Sequence, residues 1–429
     1  MMEVWLLIIS FLFFLSLGVP IAYSIGLSGL LTLLVNMDPV IAATTIAQRI
    51  STGLDSFAIL AIPFFILAGQ IMNRGGIAQR LIDFAKSLLG FLPGGLAHVN
   101  VFACMLFGAI SGSAVAAASA IGGFMIPRMS EEGYPKPFSA AVNISASTTG
   151  LVIPPSNILI IYSLASGGAS VAALFVAGYI PGFLMGLGLL VVSAFYAWKK
   201  KLPISGKVVF ANVTKTFIRA LPSLMLLVVV MGGVIAGVFT ATEASAIAVV
   251  YALLLAMVFY KEITLKDLQP ILMETVKTTS IVLFLVATSM SMSWVMSFEN
   301  IPQDVSAGLL ALSDNRIVIL LIINLVLLFV GVFMDITPAV LIFTPIFLPV
   351  VVELGVDPVH FGIIMVMNLC IGLCTPPVGS VLFVGVSVAK VKMEEVIRPL
   401  MPLFMVLILV LLLVTFIPEL SLALLDLLD

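Results

Sequence analysis

Charge is scarce in this chain. Of its 429 residues only 9% are Asp, Glu, Lys or Arg, while 62% are hydrophobic. A water-soluble domain normally carries about 25% charged residues, so a soluble globular fold is excluded. The formal net charge of −2 leaves no basic footprint for nucleic acid. No Gly-x-x-x-x-Gly-Lys loop is present, so ATP does not drive this chain directly. There are three cysteines, Cys104, Cys370 and Cys374, all in apolar runs. Cys370 and Cys374 are one helical turn apart, but no His or further Cys stands beside them, and small apolar filler is the expected role. A membrane aspartyl protease needs two carboxylates sharing a proton, and only Asp335 lies deep in an apolar run. A Ser–His dyad is disfavoured because His98 and His360, the two histidines, sit at segment ends. Short alternating segments are missing, which excludes a β-barrel. The start, Met-Met-Glu-Val-Trp, has no basic region or small-residue cleavage site, so it is expected to be a retained first helix.

What remains is long apolar sequence, with mean hydropathy +1.28 and several segments long enough to cross a bilayer. The expected fold is an all-α polytopic membrane protein. Residues 4–35 are broken at Gly18-Val19-Pro20 and form one kinked helix or two short ones. Spans are expected over 57–73, 171–197, 220–240, 243–260, 278–297 and 400–424. Residues 77–89 carry Ile77, Leu81, Phe84, Ala85 and Leu88 on one face and Gln79, Arg80, Asp83 and Lys86 on the other, which predicts a helix along the membrane surface. A partly amphipathic piece at 302–313 is its counterpart. Residues 97–127 and about 325–350, the latter within the apolar segment 317–350, are expected to be re-entrant helical hairpins. Residues 139–165 and 360–386 are expected to be helices broken at Pro154-Pro155 and Pro376-Pro377. Trp5, Trp198 and Trp294 are expected interface anchors, and Thr242 an N-cap with Glu243 in the first turn.

Lys199-Lys200-Lys201 mark one side as cytoplasmic. If each hairpin enters and leaves on one side, every Lys and Arg of the chain, Lys207 included, falls on the cytoplasmic side except Arg49 and Arg316. Glu419, Asp426 and Asp429 then lie outside. The two halves also match. A shift of 222 residues carries Pro127 onto Pro349, Glu131 onto Glu353, Gly133 onto Gly355, Gly150-Leu151 onto Gly372-Leu373, and Pro154-Pro155 onto Pro376-Pro377. The same shift carries Ser113 onto Asp335. An odd number of crossings separates the halves, so the repeat is inverted, a recurring transporter plan.

The breaks are expected to meet at mid-membrane, where unwound backbone is tolerated only against a polar cavity or inside protein. Helix N-termini there attract an anion. Substrate contacts are expected from Ser111, Ser113, Asn143, Ser156, Asp335 and Asn368. Hydroxyl and carboxylate oxygens of Ser113, Ser145, Asp335, Thr337 and Thr375, with main chain around Gly150, Val152, Pro154, Gly372, Cys374 and Pro376, suit Na⁺. No Lys or Arg lies in these segments, so a co-bound cation would help hold an anionic substrate. Two plainer readings stay open. Asp335 can be a helix cap, and Ser111 and Ser113 can be packing residues.

Several motifs resemble the large membrane subunit of TRAP (tripartite ATP-independent periplasmic) transporters, over essentially the whole chain. They are Gly122-Gly123-Phe124-Met125-Ile126-Pro127, Gly150-Leu151-Val152-Ile153-Pro154-Pro155-Ser156-Asn157, Phe239-Thr240-Ala241-Thr242-Glu243-Ala244, Met334-Asp335-Ile336-Thr337-Pro338 and Thr375-Pro376-Pro377-Val378-Gly379. The resemblance implies Na⁺-coupled import of an organic acid by an elevator motion in a bacterial inner membrane. It implies two partners, a soluble periplasmic substrate-binding protein and a small four-helix membrane subunit as a separate chain. The family's hairpin serines resemble Ser111 and Ser113, its polar residue after the first Pro-Pro resembles Ser156, and its hairpin acid resembles Asp335. The overall look is similar to the sialic-acid branch, with C4-dicarboxylates the other substrate type. Residues 56–165 and 278–390 are expected to form the transport unit. Residues 1–55 and 166–277 are the expected scaffold, with a C-terminal helix over 391–429. A Na⁺/H⁺ or anion exchanger of similar inverted design is the alternative.

Overall fold

The structure is a computed structural model that describes residues 2–202, 210–313 and 315–427. Lys207 and Asp429 lie outside the described residues. All regular structure among the described residues is helical. Eight helical segments among them are long and apolar enough to cross a membrane.

The N-terminal run resolves as two helices, α1 (Met2–Ser16) and α2 (Ile21–Leu33), packed on each other. Gly18 takes φ +77° between them, a conformation that favours glycine, and Pro20 starts α2. Helix α3 (Pro39–Thr52) was not expected. Its mixed polarity hides it, but Asp38 caps it, accepting from the Val40 N–H at 2.9 Å. There follow α4 (Ala61–Arg74), α5 (Ile77–Leu89), α6 (Gly95–Ser111), α7 (Ala114–Glu131), α8 (Lys136–Thr149), α9 (Asn157–Ala165) and α10 (Val171–Lys200). Helices α11 (Phe210–Ile235) and α12 (Ala241–Leu253) come next, and α12 runs on as a π-helical turn, Leu254–Phe259. The chain closes with α13 (Leu265–Phe298), α14 (Ile301–Leu312), α15 (Arg316–Phe333), α16 (Ile336–Glu353), α17 (Pro358–Gly372), α18 (Ser380–Ala389), α19 (Met393–Phe416) and α20 (Glu419–Asp426).

Three expectations change. The N-cap of α12 is Thr240, whose hydroxyl accepts from the Glu243 N–H while the Glu243 carboxylate accepts from the Thr240 N–H. Thr242 instead donates its hydroxyl to the Phe57 carbonyl at 3.0 Å. Helix α13 begins well before residue 278, because Thr264 and Asp267 form a second capping box. The expected span 400–424 is divided, since Pro418 separates α19 from α20. Of the tryptophans, Trp5 and Trp198 are exposed, while Trp294 is half-buried beneath the Arg49 guanidinium, 4.6 Å from its ring centroid.

The repeat is visible element by element. Helices α7, α8 and α10 start at Ala114, Lys136 and Val171; α16, α17 and α19 start 222 residues later, at Ile336, Pro358 and Met393. Each half crosses its first hairpin helix over its broken helix at paired glycines. A Cβ on Gly150 would lie 2.3 Å from the Gly108 Cα, and one on Gly372 would lie 2.5 Å from the Gly331 Cα. Small residues at such crossings let helix backbones approach in a membrane, where packing drives association.

The packing divides the molecule. Helices α1 to α4 and α11 to α13 pack among themselves, with α4 against α12 and α13 and α2 against α13. The hairpins and broken helices pack across repeats, α7 against α18 and α16 against α9. Helices α10 and α19 pack on each other and on α8 and α17. The Tyr162 hydroxyl donates to the Pro358 carbonyl at 2.6 Å, tying α9 to α17. Helix α5 buries Ile77, Leu81 and Ala85 against α6 and α11, leaves Phe84 half-buried, and exposes Leu88.

Candidate functional site

Each hairpin breaks where its tip is capped from within. Between α6 and α7, Gly112 takes φ +62°, and a Cβ there would meet the Asn157 side-chain nitrogen at 2.8 Å. Ser113 then caps α7, its hydroxyl accepting from the Ala116 N–H at 3.2 Å. Between α15 and α16, Met334 is extended and Asp335 caps α16, its carboxylate accepting from the Thr337 N–H at 3.3 Å. Ser113 and Asp335, paired by the repeat, therefore do the same structural job. The broken helices part at residues 150–156 and 373–379, and both Pro-Pro bonds are cis. Ser156 donates its hydroxyl back to the Leu151 carbonyl, and the Leu373 carbonyl accepts from the Val381 N–H at 3.2 Å.

These breaks enclose a cavity of about 460 Å³. The first residues of all four half-helices line it: Ala114 of α7, Asn157 of α9, Ile336 of α16 and Ser380 of α18. Each N-terminus brings N–H groups without intrahelical partners, and partial positive charge. Among the described residues, Asp335 is the only ionisable side chain in the lining, and no Lys or Arg reaches it. Across from the breaks stand α4, with Gln70 and Asn73, and α13, with Thr278. The arrangement offers four positive helix poles for an anion, a carboxylate and hydroxyls for a hard cation, and carboxamides for polar groups of a bound molecule.

Of the residues expected from the sequence, Ser111, Ser113, Asp335 and Thr337 line this cavity together. Gly150, Val152, Pro154, Ser156, Gly372, Cys374, Thr375 and Pro376 sit in or beside the breaks behind it, with Leu151 and Leu373 in the wall. Gly150 and Gly372 are the crossing points described above. Val152 presents its carbonyl to Gly178 of α10, Cys374 donates its thiol to the Ile371 carbonyl at 3.0 Å, and the Thr375 hydroxyl donates to the same carbonyl at 2.8 Å. Asn143 and Ser145 are buried in α8. The Asn143 amide donates to the Ala118 carbonyl at 2.8 Å, and the Ser145 hydroxyl to the Ala141 carbonyl at 2.8 Å. Asn368 donates to Asn324 at 2.7 Å and to the Ile364 carbonyl, and Asn324 donates to Thr415, a chain joining α17, α15 and α19.

The sequence profile described as "Tripartite ATP-independent periplasmic transporter, DctM component" matches residues 8–420. The chain belongs to this TRAP permease family. It is 55% identical over 97% of its length to the uncharacterized protein YgiK of Salmonella typhimurium, covering 95% of that protein. It is 42% identical over 94% of its length to the C4-dicarboxylate TRAP transporter large permease DctM of Pseudomonas aeruginosa, covering 93% of it. The sialic acid TRAP transporter large permease SiaM of Vibrio cholerae matches at 38% over 95% of each chain. The sialic-acid branch is thus one of several that this TRAP permease resembles. Its fold is shared with the Alcanivorax borkumensis YdaH transporter at a TM-score of 0.65, 13% identity and coverage of 87% and 88% of the two chains. It is a multi-pass membrane transporter subunit and not an enzyme.

Gln70 and Asn73 were missed in the sequence. They are the two carboxamides of an apolar run, three positions apart and hence on one helix face. That pattern was the available signal. Thr278 carried none, since it lies among the polar residues at the start of the expected span 278–297.

Proposed function

We propose that this TRAP permease imports an organic acid anion together with Na⁺ across a bacterial inner membrane, by an elevator motion. The observation that carries the reading is the convergence of four helix N-termini and one carboxylate on a cavity that has no basic side chain among the described residues. Asp335 with the Ser113 and Thr337 hydroxyls suits Na⁺, which travels as a co-substrate. The ion's charge and the helix poles then hold the substrate carboxylate. Each net positive charge carried inward gains about 2.3 kcal/mol per 100 mV of inside-negative membrane potential.

In this reading α6 to α10 and α15 to α20 move as one body, because the hairpins pack across repeats and α10 and α19 pack on the broken helices. Helices α1 to α4 and α11 to α13 stay fixed, with α5 and α14 as connecting arms. The cavity lies between the two bodies, its fixed wall formed by Gln70, Asn73 and Thr278. Helices α10 and α19 therefore join the transport unit, and α4 joins the scaffold. A periplasmic binding protein delivers the substrate, of C4-dicarboxylate or sialic-acid type. A small membrane subunit, as a separate or fused chain, completes the transporter.

The test is uptake into proteoliposomes containing the permease and its partners. Accumulation is expected only under an inward Na⁺ gradient, and equal uptake in Na⁺-free buffer would overturn the coupling. An exchanger reading rests on Asp335 as a lone proton carrier. Proton flux that requires Asp335 while organic-acid binding does not would favour it.

A further inference from the structure

A second cavity, of about 630 Å³, lies where α5, α7, α11 and the π-helical end of α12 meet. One side of it is built around a clasp. The Arg80 guanidinium pairs with Glu262 at 3.2 Å, donates to the Gly76 carbonyl at 2.7 Å, and lies 3.7 Å over the Tyr260 ring. Gly76 has φ +70°, and a Cβ there would stand 2.5 Å from the Arg80 nitrogen, so the clasp needs glycine at this position. This pair is neutral within itself.

Two further charges face the same cavity. Arg219 is exposed and has no ion-pair partner among the described residues. Asp83 is exposed too; it accepts from the Gln79 amide at 3.0 Å and has no cation partner among the described residues. The remaining rim is apolar and outward-facing: Phe124, Ile218 and Phe259 are 54%, 60% and 71% exposed. The π-helical turn ends at Phe259, and such turns are frequent at functional sites.

We propose that this cavity holds the head group of a zwitterionic, amine-bearing phospholipid. Arg219 takes the phosphate through its planar donor fork. Asp83 takes the ammonium group. The acyl chains leave over Phe124, Ile218 and Phe259 into the bilayer. One cation on α11 and one anion on α5, two helices packed on each other and neither charge ion-paired among the described residues, match a phosphoethanolamine head and disfavour an anionic lipid, which Asp83 repels. By the charge count of the sequence this end of the protein is on the cytoplasmic side, within reach of the head groups of that leaflet.

The experiment is native mass spectrometry of the full-length chain with its copurifying partners, titrated with phosphatidylethanolamine, phosphatidylglycerol and phosphatidylcholine of identical chains. Wild type is expected to retain one phosphatidylethanolamine, at least tenfold in preference to the other two. Arg219→Ala is expected to lose that retention about tenfold, and Asp83→Asn to bring phosphatidylglycerol up to the level of phosphatidylethanolamine. Both side chains are exposed, so an unchanged melting temperature confirms that the variants fold. Equal retention of all three lipids by wild type would overturn the proposal. Undiminished retention by Arg219→Ala, or a partner subunit crosslinking at position 219 in place of lipid, would do the same.

Discussion

The paired glycine crossings give a graded prediction. An alanine at Gly150 puts a Cβ 2.3 Å from the Gly108 Cα, against an ordinary carbon–carbon contact of about 3.5–4.0 Å. The obstructing atom is backbone and cannot rotate aside. Overpacking of this kind costs about 1–3 kcal/mol. Gly150 lies just beyond the end of α8, so little helix propensity offsets that cost, and Gly150→Ala should lose the whole amount. Gly108→Ala meets the Gly150 Cα at 2.7 Å but gains helix propensity of about 0.8–1.0 kcal/mol, so its net loss is roughly half as large. In the second repeat, Gly372→Ala stands 2.5 Å from the Gly331 Cα, while Gly331→Ala stands 3.0 Å from the Gly372 Cα and 3.3 Å from the Leu369 main chain, a milder overlap that a helix-propensity gain of about 0.8–1.0 kcal/mol largely offsets, so Gly331→Ala should lose least of the four. Gly123, with nothing within 4 Å, is the control and should stabilise slightly as alanine. Thermal melting in detergent reads the series, with Gly150→Ala lowest and Gly331→Ala close to wild type. The double variant Gly108→Ala/Gly150→Ala should lose less than the sum, since one alanine already spreads the crossing. Melting of Gly150→Ala at or above wild type, or of Gly331→Ala below Gly150→Ala, would refute the packing argument.

Other expectations are simpler. Asn caps helices as well as Asp does, so Asp335→Asn should melt like wild type while Na⁺-driven uptake falls to background. Asp335→Ala should in addition lose about 1 kcal/mol of stability, and full uptake by the Asn variant would remove the carboxylate from the proposed ion site. Gln70→Ala and Asn73→Ala should raise the substrate KM several-fold at unchanged melting temperature; unchanged KM in both would take α4 out of the binding wall. Thr240→Ala should lower the melting temperature by a few degrees and leave uptake intact, because its capping box faces away from the cavity; lost uptake would contradict that.

The local breaks were legible because they are written in a few residues. Pro154-Pro155 and Pro376-Pro377 interrupt a helix because each proline lacks an N–H and crowds the preceding turn, and the constant shift between halves marked them as a pair. Asp335 was legible because a carboxylate is rare in hydrocarbon. What lay opposite it was not legible. Gln70 and Asn73 reach the cavity only because α4 packs beside the hairpin tip, where a Cβ on Gly69 would touch the Ser111 carbonyl at 2.8 Å, and no local pattern encodes that neighbour. Polar residues in apolar runs also look alike in sequence whatever their job. Asn368 and Asp335 both interrupt such runs, yet Asn368 bridges α17 to α15 and α19 while Asp335 faces the cavity. Helix α3 and the early start of α13 escaped notice because their polar residues resemble loop. Asp38 and the Thr264–Asp267 box show how those stretches satisfy their first N–H groups.

The packing of α7 on α18 has a consequence for biosynthesis. Helix α7 ends at Glu131, and its partner begins only at Ser380. Throughout the synthesis of everything between them, the nascent first hairpin must wait in the translocon or among lipids with the α7 surface that α18 will cover still unclaimed. The protein can reach its native form only after the ribosome has nearly finished, so a chain truncated before α18 leaves its first half open to quality-control proteases.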